Sequence, residues 1–184
     1  EKQKIHVQEK EKIGKRAAEL VNHGETIIVD SGTTTQFLAK NLTEKKNLTV
    51  ITHALNIAYE LAPYPQIEII MPGGVLRNNS YSLVGTHAEE FIKLLHVHKF
   101  FLGVDGFDID FGLTTQNMLE ANLNRIMANN SEKVIVLCDS SKFHRRGFAK
   151  IIEPIEIDTV ITDSGVPPTI QEWAKQHKIQ LIIV

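Results

Sequence analysis

The run Asp30-Ser31-Gly32-Thr33-Thr34-Thr35 sets a carboxylate, a glycine and four hydroxyls directly after the apolar stretch Ile27-Ile28-Val29. The apolar residues read as a buried strand. The apolar spacing within Gln36–Leu42 reads as a helix, so the amides of residues 32–35 fall at a helix N-terminus. Amides there have no partner within the helix and lie at its positive end, a combination that favours an anion such as phosphate. The same hydroxyls would also make good helix caps. The residues by themselves allow both a phosphate cradle and a plain cap.

Further polar residues collect where other apolar runs end: Thr52-His53, Gly73-Gly74, Asp105-Gly106-Phe107-Asp108, and Asp139-Ser140-Ser141-Lys142. Gly73-Gly74 fits a tight turn, and the two aspartates fit turn or helix caps. Lys142, just past a strand end, fits either a solvated surface lysine or a mobile point charge that reaches a phosphate or carboxylate. Glu120 opens the helical pattern Leu119–Asn130, where it complements the helix dipole and completes a capping-box spacing with Asn117. It would equally accept hydrogen bonds from sugar hydroxyls. Five such strand ends together point to a polar small-molecule site.

Other groups do less. Asp163-Ser164-Gly165 runs straight into Pro167-Pro168 and reads as a turn. His96 and His98 share a face of an extended segment, but two ligands without a third do not make a zinc site, and no metal is expected. The basic run Lys142-Phe143-His144-Arg145-Arg146 fits a solvated loop or an acidic ligand. Cys138, the single cysteine, excludes an internal disulfide and reads as a buried, inert thiol at a strand end.

Positioning these groups falls to an alternation of short apolar runs and helical patterns. Strands are predicted over Thr26–Val29, Leu48–Ile51, Ile67–Met71, Phe100–Val104, Val134–Cys138, Thr159–Thr162 and Leu181–Val184. Helices are predicted over 4–22, Gln36–Leu42, Ala54–Leu61, His87–Leu95, Leu119–Asn130 and Thr169–His177. In the first helix, Ile13, Ala17, Leu20 and Val21 form the apolar stripe, Lys10, Glu11, Lys15, Arg16 and Glu19 lie around it, and Gly24 ends it. Runs such as Val-Ile-Val-Leu lack a period of two, as strands covered on both faces do. The pattern predicts an α/β fold with a mainly parallel sheet flanked by helices, whose sites form at the carboxyl ends of strands.

The 184 residues are 42% hydrophobic and 23% charged, enough for one domain with a substantial core. A net charge of −2 and a pI near 6.5 carry no basic footprint for nucleic acid. The apolar runs are too short for a membrane span, and the charged start is not a signal peptide. The chain begins at Glu1 without a methionine, which suggests a fragment with a segment missing upstream.

Taken in order, the motifs Asp30–Thr35, Ile51-Thr-His-Ala-Leu-Asn56, Pro72-Gly-Gly-Val-Leu-Arg77, Gly103–Asp108, Gly112-Leu-Thr-Thr115, Glu120-Ala121 and Asp139–Phe143 make a specific set. The chain resembles the C-terminal effector domain of the DeoR family of bacterial transcriptional regulators over nearly its whole length. The resemblance implies the fold shared by ribose-5-phosphate isomerase, glucosamine-6-phosphate deaminase and the coenzyme A transferases. It implies a phosphate grip at Ser31, Gly32, Thr33, Thr34 and Thr35, with Lys142 near the ligand's charged end. Asp105 and Asp108 match the isomerase's aspartate pair, and Glu120 matches its catalytic glutamate. The isomerase's further lysine and glycine-rich run are replaced by Asp110-Phe111-Gly112-Leu113, and His53 stands where the regulators often carry asparagine.

That departure bears on mechanism. Moving a proton beside a sugar carbonyl needs a base and a group that stabilises the developing negative charge. Glu120 is a candidate base, but the sequence shows no matching cation, so a pocket that senses fits better than one that turns substrate over. The resemblance thus implies an effector domain, 24–184, that binds a phosphorylated sugar through Asp30, the Ser31–Thr35 loop, Thr52, His53, Gly73, Gly74, Asp105, Gly106, Asp108, Glu120 and Lys142, without a cofactor. Residues 1–23 would lead from a winged helix-turn-helix, the only part to touch DNA, in a cytoplasmic homo-oligomer. A sugar-phosphate isomerase or deaminase using Glu120 is the alternative, and a direct nucleic-acid-binding module is a third reading.

Overall fold

Short, β-branched apolar runs pair side by side at the centre of the chain because their side chains can be buried on both faces. A computed structural model describes residues 5–184. Its chain runs α1 (Val7–Glu19), β1 (Thr26–Val29), α2 (Thr33–Lys40), β2 (Leu48–Ile51), α3 (Leu55–Leu61) and β3 (Ile67–Ile70). A hairpin follows, β4 (Val75–Arg77) and β5 (Ser82–Val84), then α4 (Thr86–Ile92) and β6 (Val97–Gly103). Next come β7 (Gly106–Asp108), β8 (Gly112–Thr115), α5 (Met118–Asn129) and β9 (Ser131–Leu137). The chain closes with β10 (Ala149–Ile152), β11 (Thr159–Thr162), α6 (Pro168–Gln176) and β12 (Gln180–Ile183).

Seven strands form one sheet in the order β12-β11-β9-β6-β1-β2-β3, every neighbouring pair parallel. Alternate residues serve two cores. Ile27, Val29, Val50, Phe101 and Leu137 face α1, α2 and α3, whereas Ile28, Phe100, Leu102 and Val136 face α4, α5 and α6. Phe100 and Phe101 are fully buried on opposite sides, each burial being worth about 1.5–3 kcal/mol.

The strand order reverses between β1 and β6: from β1 the chain moves outward to β2 and β3, and from β6 it moves the other way to β9, β11 and β12. Strand runs that separate at such a point leave a crevice outside their carboxyl ends. Two small antiparallel additions stand beside the main sheet, the β4–β5 hairpin and the three-stranded β10-β8-β7. Neither was predicted, because runs of three or four residues with mixed polarity carry no period long enough to read.

The predicted first helix is shorter than expected. It ends at Glu19 rather than at Gly24, and the turn beyond it is held by Glu25, which accepts from the amide of Asn22 at 3.0 Å and from its side chain at 2.9 Å. Lys4, where the prediction began, lies outside the described residues. Ile13, Ala17, Ala18 and Val21 enter the same core as α2, so α1 packs as part of the domain.

Gly14 sets how closely α1 approaches α2. A Cβ there would stand 2.5 Å from Phe37 Cβ, 2.6 Å from the Phe37 carbonyl carbon and 2.7 Å from the Leu38 nitrogen. In an open helix, alanine would be better than glycine by about 1 kcal/mol. Here Gly14→Ala is expected to destabilise the chain by about 1–3 kcal/mol in urea unfolding, as overpacking does. A stabilised variant would show that α1 is not seated on α2 in this way.

Candidate functional site

Asp30 leaves β1 at the reversal point and is 1% exposed. The carboxylate accepts from the Ser31 amide at 2.7 Å, His53 Nε2 at 2.9 Å, the Gly103 amide at 3.0 Å and Asn124 Nδ2 at 3.2 Å. It therefore ties the ends of β1 and β6 to each other and to α5. His53 Nε2 lies against both the Asp30 carboxylate and the Ser31 amide, the latter at 3.2 Å, and among the described residues the buried Nδ1 has no hydrogen-bond partner. Burial pushes the Asp30 carboxyl above the ordinary carboxylate range, with the bond from His53 pulling the other way.

A cleft of about 470 Å³ opens above this network, within the range of about 300–1,000 Å³ common for small-molecule sites. Its lining includes Ser31, Gly32, Thr33, Thr34, Thr35 and Gln36, with Lys142 and Lys10. Among the described residues no side chain caps α2: the Thr35 hydroxyl donates backward to the Gly32 carbonyl at 3.1 Å. The first amides of the helix, which have no intrahelical partner, are thus left without a side-chain cap beside the cleft. Lys142 sits in a short 3₁₀ turn, Ser140–Lys142, held by Asp139, which accepts from the Ser141 amide, and by Asp163, which accepts from the Ser140 amide at 2.6 Å. Asp163 was read only as part of a turn, and the turn it makes supports the lysine.

The lining also includes Asp105, Glu120, Asn124, Thr115 and the hairpin residues Asn79, Ser80 and Tyr81. Glu120 Oε1 accepts from Ser80 Oγ at 2.5 Å and Ser82 Oγ at 2.8 Å, and Arg77 Nη1 lies 3.8 Å away. Asn117 caps α5 through the amides of Leu119 and Glu120, while the Glu120 carboxylate turns to the hairpin. The expectation that Glu120 has no cation beside it is corrected: the hairpin brings in Arg77, 43 positions earlier in the chain. Thr115 Oγ1 donates to Asp105 at 3.3 Å.

Six of the residues predicted for the site do not line the cleft. Thr52 donates from Oγ1 to the Val29 carbonyl at 2.8 Å, and His53 is fully buried under Asp30, so both position the loop from below. Gly73 and Gly74 open the hairpin, where a Cβ on Gly74, at φ +117°, would meet the Val84 carbonyl oxygen at 2.6 Å. Gly106 lies in β7, against the Arg145 backbone and the Thr114 side chain. Asp108 pairs with Arg146 Nε at 2.8 Å and accepts from the amides of Asp110 and Phe111. The Arg146 guanidinium holds the Asp108 carboxyl below its ordinary range. Away from the cleft, His96 contacts Glu132, His98 contacts the Thr26 backbone, and burial pushes the Cys138 thiol far upward.

The cleft also holds residues that sequence reasoning passed over. Asn124 lies one helical turn after Glu120, an i, i+4 relation that could have flagged it. Lys10 was placed off the apolar stripe of α1 but is 3% exposed. Ser80 and Tyr81 gave no signal, since only the hairpin brings them to α5.

An open parallel sheet with a cleft at its reversal point defines an α/β domain with a candidate small-molecule site. The ribose 5-phosphate isomerase A of Methanocaldococcus jannaschii is similar with a TM-score of 0.55 at 19% identity, over 75% of this chain and 55% of that one. The eIF2B delta of Chaetomium thermophilum is similar with a TM-score of 0.55 at 19% identity, over 76% of this chain and 50% of that one. These likenesses concern the fold. The DeoR C terminal sensor domain matches residues 5–164, and the chain belongs to that family. It is 36% identical over all 184 residues to the putative aga operon transcriptional repressor of Escherichia coli O157:H7, covering 68% of that protein. It is 32% identical over 174 residues, 95% of this chain, to the glycerol-3-phosphate regulon repressor of Escherichia coli K12, covering 69% of that protein.

Asp163 offers a test of how the Lys142 turn is held. Burial raises its carboxyl, but the amides of Ser140 and Gly165 outweigh this and leave it below 3.8. A depressed carboxyl adds stability above its unfolded pKa and loses it as the pH falls through the folded value. Asp163→Asn is expected to cost about 1–3 kcal/mol near neutral pH in urea unfolding. The difference from wild type should narrow below about pH 4. A cost that stays constant into acid would show that the charge is not what holds the turn.

Proposed function

We propose that this chain is the effector-sensing part of a transcriptional repressor of sugar metabolism, and that its cleft binds a phosphorylated sugar or sugar derivative. The observation that carries this reading is a cleft lined together by the N-terminus of α2, which has no side-chain cap among the described residues, by Lys142 and by Asp105, Glu120 and Asn124. Amides, hydroxyls and a lysine suit a phosphate. Carboxylates and an asparagine suit the hydroxyl or amine groups of a sugar. One relative is named for the glycerol-3-phosphate regulon, which is in keeping with a phosphorylated polyol as effector.

In this reading residues 24–184 bind the effector, residues 1–23 lead from a winged helix-turn-helix that alone contacts DNA, and the protein works as a cytoplasmic homo-oligomer. An effector changes DNA affinity only by binding one arrangement of the whole protein better than another. The domain senses rather than turns over. Glu120 is anchored by two serine hydroxyls, and the relatives named above are regulators.

Thermal unfolding against a panel of sugar phosphates and their unphosphorylated parents tests the ligand class. At one hundred times Kd a ligand adds about 2.7 kcal/mol, and a domain of this size gains roughly 2–4 °C per kcal/mol. The matching phosphate is expected to raise Tm by several degrees and its parent sugar by much less, and Lys142→Ala should remove most of the gain. Equal shifts from phosphates and parents would sink the phosphate assignment. Steady turnover of an aldose or amino-sugar phosphate by the purified chain would instead establish the enzyme reading.

A further inference from the structure

Among the described residues, few buried side-chain oxygens or nitrogens lack a hydrogen-bond partner, and two of those that do belong to residues lining the cleft: Asn56 Oδ1 and Asn124 Oδ1. A buried polar atom is costly to leave unpaired, and one in the wall of a binding cleft points to a partner from outside the chain. Asn124 is 3% exposed, and its amide has a fixed orientation, because Nδ2 donates to the Asp30 carboxylate at 3.2 Å. Turned over, the amide would set its oxygen against that carboxylate. Oδ1 is therefore an acceptor in need of a donor. Asn56, the second residue of α3, is half-buried and contributes an atom of the same polarity.

We propose that Asn56 and Asn124 are ligand-binding residues whose carboxamide oxygens accept hydrogen bonds from hydroxyl or amine groups of one molecule in the cleft. The assignment rests on the phosphorylated-sugar reading given above and deepens it. A phosphate dianion offers acceptors only, so it satisfies neither oxygen, and both asparagines read the rest of the molecule. The two belong to helices on opposite faces of the sheet. Ile57 and Leu61 of α3 enter the core shared with α1 and α2, whereas Ala121, Leu123 and Met127 of α5 enter the core on the other face. A molecule bonded to both asparagines spans the end of the sheet where its order reverses, and it ties the two helical layers together. Recognition of the sugar is thereby separate from the grip on the phosphate.

The 184-residue chain is tested by thermal unfolding at matched ionic strength with inorganic phosphate, glycerol 3-phosphate, ribose 5-phosphate and glucosamine 6-phosphate. The last three add hydroxyls, and finally an amine, to the phosphate. At least one of them is expected to stabilise wild type beyond the same concentration of inorganic phosphate. Asn56→Leu and Asn124→Leu should each weaken that compound about three- to tenfold and leave inorganic phosphate unaffected. The exposed control Gln176→Leu should change neither. Without any added compound, Asn56→Leu should leave Tm unchanged or raise it, since Oδ1 gives up no bond within the chain; a lowered Tm would mark a structural role and overturn its assignment. If both variants keep wild-type affinity for the sugar phosphate, the asparagine assignment falls and the phosphate reading stands. Loss in one variant alone overturns the bridge between the layers. If inorganic phosphate stabilises as well as all three other compounds, the asparagines read nothing and their assignment falls alone. If none of the four stabilises wild type, the phosphate reading falls and takes the asparagines with it. Should Asn124→Leu not fold, Asn56→Leu decides: a selective loss of the sugar phosphate upholds the proposal, and unchanged affinity overturns it.

Discussion

A buried carboxylate at the end of a central strand must be surrounded by donors, and the surroundings of Asp30 organise much of this molecule. Its donors come from its own loop, from the end of β6, from the start of α3's lead-in at His53 and from α5. Removing any of them would leave a polar group unpaired away from water, at about 1–3 kcal/mol each. The carboxylate thereby fixes the distance between the two strands at which the sheet reverses. That distance is the floor of the cleft.

The cleft brings together chemically different groups because different parts of the fold supply them. The N-terminus of α2 and a strand-end turn supply one set, and Asp139 and Asp163 shape the turn that carries Lys142. An antiparallel addition supplies part of the other. The β4–β5 hairpin leans over α5, so Ser80 and Ser82 anchor Glu120 and Arg77 lies beside it. The main sheet provides the position of the site, and the hairpin provides much of its polarity. The small β10-β8-β7 sheet, with Asp108 bonded to Arg146, flanks the cleft and contributes Thr115 to its lining.

Much of the architecture was legible because strand and helix periods are local properties. The runs at Thr26–Val29, Leu48–Ile51 and Thr159–Thr162 coincide with β1, β2 and β11, since each is a short, wholly apolar or β-branched stretch bounded by polar residues. The hairpin and the small sheet escaped, as their strands are short and stabilised by partners distant in sequence. At the site, the loop after β1, Asp105, Glu120 and Lys142 were legible as polar residues at strand and helix ends. Thr52, His53, Gly73, Gly74, Gly106 and Asp108 were legible in the same way, yet they support the site from outside the cleft, because a residue type at a strand end does not reveal which way its side chain turns.

The sequence by itself determined the alternation of elements, the parallel sheet with its two apolar faces, the family to which the motifs point and the polar character of the strand ends. These follow from periodicity, composition and local order along the chain. Only the tertiary structure decided which strand ends meet. The reversal between β1 and β6, the partnership of Asp30 with Asn124, the approach of Arg77 to Glu120 and the burial of Lys10 all join positions far apart in the chain. Their physical cause is side-chain packing between elements, which no local pattern encodes.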